Sequence, residues 1–130
     1  MNQRLFTLEE ALALLPVVGR LITEIQASRE QVAEQSAELD RLLGLTGGNG
    51  HLRQSVEVTR KQVEDTATAL QSLMNELAEL GVELKGIEQG LADFPSERDG
   101  RVVYLCWQLG EETISYWHEL DTGFAGREPL

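Results

Sequence analysis

The chain has 130 residues, 42% hydrophobic and 25% charged, with a formal net charge of −11 and a single Cys. That length fits one domain, residues 1–130, burying roughly 65% of the surface of its unfolded form. The acid excess argues against a nucleic-acid groove or an anionic membrane as partner, because both need Lys and Arg to replace released counterions. One Cys allows no internal disulfide. The N-terminal segment MNQRLFTLEEALALLP lacks a charged start followed by an unbroken apolar core, and no stretch approaches the ~20 apolar residues of a membrane span. The expectation is a cytoplasmic protein with no nucleic-acid and no membrane partner.

Thr7 reads as an N-cap, Glu10 as its capping-box partner, and Phe6 as a hydrophobic staple onto Ala11, so a helix starts near residue 8 and runs to about 44. Its heptad positions read Leu8, Leu15, Ile22, Arg29, Ser36, Leu43 and Ala11, Val18, Ile25, Val32, Leu39, which is a coiled-coil seam. Pro16 removes one backbone hydrogen bond and predicts a kink near the start. After a breaker from Gly44 to Gly50, a second helix over 51–81 carries Leu52, Thr59, Thr66, Leu73, Leu80 and Val56, Val63, Leu70, Leu77, with Gly81 as C-terminal cap. Facing Leu43 with Leu52 also faces Arg29 with Thr66 and Ser36 with Thr59, so polar positions meet polar ones. This predicts an antiparallel helical hairpin roughly 50 Å long at 1.5 Å per residue. The polar positions serve to set register or else line a pocket. A hairpin this long leaves its outer faces thinly covered, so a homodimer through residues 20–75 is expected.

Beyond Gly81 the period changes from helical to alternating. Residues 82–85 alternate, 91–94 form a short run ended by Pro95, and Ser96 to Gly100 is turn chemistry. Residues 101–107 and 113–120 are the two best strands. A hairpin centred on Gly110 pairs Cys106 with Ile114, Tyr104 with Tyr116, Val103 with Trp117 and Arg101 with Glu119. The fold class is therefore α+β: a long antiparallel helical hairpin, then a small three- or four-stranded antiparallel sheet and tail over 82–130, packed at the open end of the hairpin.

Six of the seven aromatic residues lie after residue 93, together with the Cys and one of two His. In the register just given, Cys106 and His118 fall four rungs apart, about 13 Å at 3.3 Å per residue, too far to share one zinc ion. The remaining candidate is an acidic site around His118 using Asp93, Glu119 and Asp121, able to hold a divalent metal ion if Asp93 shares its face. Glu111 and Glu112 are weaker candidates. His118 could equally be a hydrogen-bonded structural residue beside Tyr104 and Tyr116. Arg127, in a glycine-flanked tail, would place a guanidinium over a carboxylate, either an internal one such as Asp93 or a ligand's.

Other signals fade on inspection. Asp121-Thr122-Gly123 spells the aspartic-protease triplet without a second one, and His118-Glu119 lacks the second His of a metalloprotease helix. Gly47-Gly48-Asn49-Gly50 has neither the Lys-Ser/Thr nor the preceding strand of a phosphate loop, and reads as a flexible turn. Cys106 has no basic neighbour in sequence to activate it and reads as a small core residue.

The segments FTLEEALALLP, GVELKGIEQGLADFP and GRVVYLCWQLGEETISYWHELDTGFAGREPL resemble a bacterial family of unknown function, number twenty-two-oh-three in the domain-of-unknown-function series. Asp93, Cys106, His118, Glu119, Asp121 and Arg127 all match its pattern, of which Thr122 is no part. The resemblance spans almost the whole chain and implies no activity. Two functional expectations remain. One is a non-catalytic, self-associating interaction or scaffold module offering Trp107, Trp117 or Phe124 to a protein partner. The other is a divalent-metal or small-ligand binding protein, with an enzyme as one form of it, centred on His118, Glu119, Asp121 and Asp93 with Arg127 as anion contact.

Overall fold

A computed structural model of the chain describes residues 3–45 and 50–130. The expected turn at 47–50 therefore lies almost wholly outside the described residues. Helix α1 spans Leu8–Leu43 and α2 spans Gly50–Glu79. The capping box is present: Thr7 Oγ1 accepts from the Glu10 amide at 3.1 Å, and Glu10 Oε1 accepts from the Thr7 amide at 2.8 Å. The helix continues through Pro16, which lies on its exposed side. Gly81, at φ 91, adopts the left-handed conformation that ends α2.

The two helices pack against each other as the antiparallel hairpin expected. Along α1 the Ala11, Val18, Ile25, Val32, Leu39 line turns inward, but of its expected companions in the distal half only Ser36 is half-buried. Arg29 is exposed and Leu43 is 54% exposed, whereas Leu42 is only 7% exposed, with Ser28 and Gln35 half-buried on the same stripe. A seam through Ser28 and Gln35 buries neutral groups, while one through Arg29 would have to desolvate a guanidinium. Thr59 is buried in α2, so the polar layer itself persists.

The sheet has five antiparallel strands in chain order, more than the three or four expected: β1 Glu83–Gly86, β2 Leu91–Arg98, β3 Arg101–Gln108, β4 Tyr116–His118 and β5 Glu128–Pro129. Strand β2 does not stop at Pro95. The Pro95 carbonyl accepts from the Phe6 amide at 2.7 Å, so its nitrogen also points to that edge, away from β3, and no ladder bond is lost. Strand β4 is far shorter than the 113–120 run. Glu111 ties the preceding loop back on itself: its amide donates to the Gln108 carbonyl, its carboxylate accepts from the Gln108 amide, and its carbonyl accepts from Trp107 Nε1. The next strand therefore begins only at Tyr116. The β3–β4 register pairs Tyr104 with His118 and Cys106 with Tyr116, a slip of two residues from the hairpin centred on Gly110. A slip of two keeps every side chain on its expected face and changes which ones are neighbours.

One face of the sheet presents Ala92, Phe94, Val103, Leu105, Trp107 and Trp117 to the helices, joining Ala11, Val18, Leu21, Ile22, Ile25 and Leu77 in one core. Phe6 meets Phe94 edge to face, centroids 5.4 Å apart. Helix α1 contains an 18-residue window of mean hydropathy 1.3, long and apolar enough by composition to cross a membrane. In this fold 28% of that window is buried, against α2 and the sheet.

Candidate metal centre

The opposite face of the sheet carries the chemistry. Strands β2 and β3 meet in a two-residue turn, Asp99-Gly100, both at positive φ (52 and 79), which sets Arg98 against Arg101 and therefore Asp93 against Cys106. One strand further, His118 lies beside Tyr104, two positions along from Cys106. Side chains at 93, 106 and 118 thus share one face and converge. A carboxylate oxygen of Asp93, Sγ of Cys106 and a ring nitrogen of His118 all lie within 4.8 Å of one another, and all three residues are buried. Cys106 is therefore a neighbour of His118, and the exclusion that rested on four rungs of separation does not hold. The condition left open by the sequence, that Asp93 share a face with His118, is met.

The hydrogen bonds determine the histidine's tautomer. His118 Nδ1 lies 2.7 Å from the Glu119 carbonyl oxygen, which can only accept, so Nδ1 carries a proton and donates. In the neutral ring Nε2 then bears a lone pair, and it faces Asp93 Oδ1 at 3.1 Å and Oδ2 at 3.0 Å. Two acceptors at that distance repel unless a proton or a cation lies between them. Burial pushes the Asp93 carboxyl above its ordinary range, opposed by His118, by the Cys106 thiol donating to it and by Lys85. Burial first, and the Asp93 charge second, push the Cys106 thiol up to about 12. A thiol so protonated is no activated nucleophile, and His118 addresses Asp93 rather than forming a relay to the sulfur.

The remaining sequence candidates lie apart from this trio. Glu119 turns to the other face and accepts from Arg101 Nε at 3.1 Å, so that ion pair forms as expected although the backbone register differs. Asp121 is exposed in the following turn, as is Glu112 in the loop before β4. Arg127 makes an internal ion pair, but with Glu111 at 2.9 Å rather than with Asp93, and its guanidinium lies 4.0 Å from the Tyr116 ring centroid and 4.6 Å from that of Phe124. Residues missed on the sequence are Cys106 and Lys85. The first was legible in Asp99-Gly100, because a two-residue turn there dictates the 93 to 106 pairing. Lys85 had no such signal, since it reaches the site only through β1.

A cavity of about 220 Å³ opens onto the trio, its other walls formed by Lys85, Leu91, Tyr104, Leu120, Gly123 and Phe124. Tyr104 donates its hydroxyl to Glu83 Oε1 at 3.0 Å, and Lys85 Nζ lies 2.9 Å from the same carboxylate and 4.6 Å from the Tyr104 ring centroid.

Fold and site together define a small α+β protein in which a helical hairpin backs an antiparallel sheet, and the sheet's outer face buries an Asp–Cys–His trio at the floor of a cavity. The chain belongs to the family of uncharacterized conserved proteins DUF2203, whose family model matches residues 4–130. No curated protein and no solved structure matches it.

Proposed function

We propose that this protein binds a divalent transition metal ion of borderline softness, of the zinc type, through Asp93, Cys106 and His118. The observation that carries the reading is the placement of His118 Nε2 3.0 Å from the Asp93 carboxylate, with a thiol as third donor. The three donor atoms lie within 4.8 Å of one another, with His118 Nε2 and Asp93 Oδ2 at 3.0 Å, and tetrahedral ligands at the 2.0–2.3 Å of zinc coordination sit about 3.3–3.8 Å apart, so modest side-chain adjustments accommodate the ion. A carboxylate, a thiolate and an imidazole match zinc-like ions better than calcium or magnesium, which take oxygen donors. The Nδ1–H donation to Glu119 is the outer contact that orients a metal-bound histidine. On binding, the metal takes the place of the protons on Cys106 and between Asp93 and His118. The acidic set foreseen around His118 is thereby redrawn, with Cys106 in place of Glu119 and Asp121.

The test is elemental analysis of protein purified without an affinity tag, followed by titration of the metal-stripped protein with Co²⁺. One equivalent should bind, with a thiolate-to-cobalt absorption band that Cys106→Ser abolishes. Absence of both metal and band would refute the assignment.

A second reading, self-association through the hairpin, is favoured by its distal half, where Leu43 and Val58 are 54% and 52% exposed on helices with no sheet behind them. In that reading the occupant is a second copy, giving a four-helix bundle in the manner of a scaffold. Light scattering on the eluting protein should return twice the chain mass; a monomer mass would sink it.

A further inference from the structure

A metal held by three protein atoms keeps a coordination position for something else, and in zinc proteins that open position is where ligands bind. Here all three donor residues line one cavity, so the free position faces into it. With the Asp93 carboxylate, the Cys106 thiolate and a neutral His118 bound, a dication is formally neutralised. The sign of the cavity is then set by its walls, and beyond the metal-binding trio the one charged side chain among its described lining residues is Lys85.

That ammonium is held in place. It pairs with Glu83 at 2.9 Å and packs on the Tyr104 ring, while Glu83 is also occupied by the Tyr104 hydroxyl and does not line the cavity. The other side is apolar: Leu91, with Leu120 and Phe124 at the mouth, 54% and 41% exposed. Two features bound the occupant. The volume of about 220 Å³ is below the 300–1,000 Å³ of sites for drug-sized ligands and suits a smaller molecule. Residues 82–130 carry ten acidic and four basic side chains, so a multiply charged anion is repelled on approach more than a singly charged one.

Resting on the metal-binding reading, we infer that the centre takes a small monocarboxylate with an apolar tail. One carboxylate oxygen would fill the open position, the Lys85 ammonium would donate a hydrogen bond to the other, and Leu91, Leu120 and Phe124 would cover the hydrocarbon end.

The experiment uses the Co²⁺-loaded full chain and follows its visible spectrum during titration with butyrate, with butanol and butylammonium as controls. Butyrate should shift the spectrum saturably and the controls should not. With Co²⁺ kept saturating, Lys85→Ala should weaken butyrate about tenfold, and Lys85→Arg should restore most of the loss. Phe124→Ala should weaken butyrate but leave acetate unaffected. A cobalt band that butyrate does not move, or moves equally in Lys85→Ala, overturns the ligand assignment alone. No cobalt band at all overturns the metal centre and this inference with it.

Discussion

His118 Nε2 lies 3.0 Å from Asp93 Oδ2 while its Nδ1–H donates to the Glu119 carbonyl at 2.7 Å, so one histidine is committed as a donor on one side and confronted by a carboxylate on the other. Both side chains are almost fully buried. Without metal, the contact stands only by keeping a proton between the two groups. This relationship separates the needs of folding from those of metal binding.

Asp93→Asn should make that separation visible. An asparagine amide can donate to Nε2 without charge, so in the presence of chelator the variant should unfold in urea within about 1 kcal/mol of the parent chain. It should nevertheless lose the cobalt band. Asp93→Ala leaves His118 buried without its partner and should cost about 1–3 kcal/mol. Equal stability of the Asn and Ala variants would contradict the account.

Cys106 should resist alkylation in the metal-free folded protein. It is 1% exposed and its thiol is pushed up to about 12 by burial and by Asp93, so thiolate is scarce at pH 8. Mass spectrometry after iodoacetamide treatment should show unmodified native chain and complete single modification in denaturant. Native modification at the rate of a free thiol would show that the site is open.

Phe94 joins the sheet to the start of α1. It is fully buried and meets the Phe6 ring at 5.4 Å, while the Phe6 amide donates to the neighbouring Pro95 carbonyl. Phe94→Ala should destabilise the chain by about 3–5 kcal/mol in urea unfolding. A loss below 1 kcal/mol would mean that the N-terminal segment is not docked as described.

Acid should weaken α1 through Glu10. The Thr7 amide and hydroxyl hold the Glu10 carboxyl below its ordinary range. A carboxyl depressed by folding contributes stability that is complete above its unfolded value, about 4.3, and is lost as pH falls through the folded value. Arg41 holds Glu38 low in the same sense. Glu10→Gln, which keeps the capping geometry, should flatten the decline of the urea midpoint between pH 5 and pH 3. An unchanged decline would show that the box adds no pH-dependent stability.

Local signals carried much of the architecture. Thr7, Glu10 and Gly81 mark helix ends because capping depends on a few adjacent residues. The two apolar periods separate hairpin from sheet because burial of one face imposes them. His118 and Asp93 stood out as chemistry in the aromatic-rich segment, while alternation left open whether they share a face. The Asp99-Gly100 turn also held the Asp93 to Cys106 pairing, since a two-residue hairpin leaves no freedom of register.

Contacts distant in sequence decided the rest. The β3–β4 register depended on how Glu111 folds the intervening loop, and two residues of slip were enough to bring Cys106 from an expected 13 Å to within metal-sharing reach of His118. Glu119 and Asp121, adjacent in sequence to His118, left the site because strand alternation turns one away and a turn exposes the other. Lys85 entered it from β1, and Arg127 chose Glu111, through pairings no local pattern encodes. Elements and the residues capable of chemistry were legible in the chain because they follow from periodicity and side-chain type. Which of those residues meet was not, because strand register is set by loop closure and by hydrogen bonds between residues far apart in the chain.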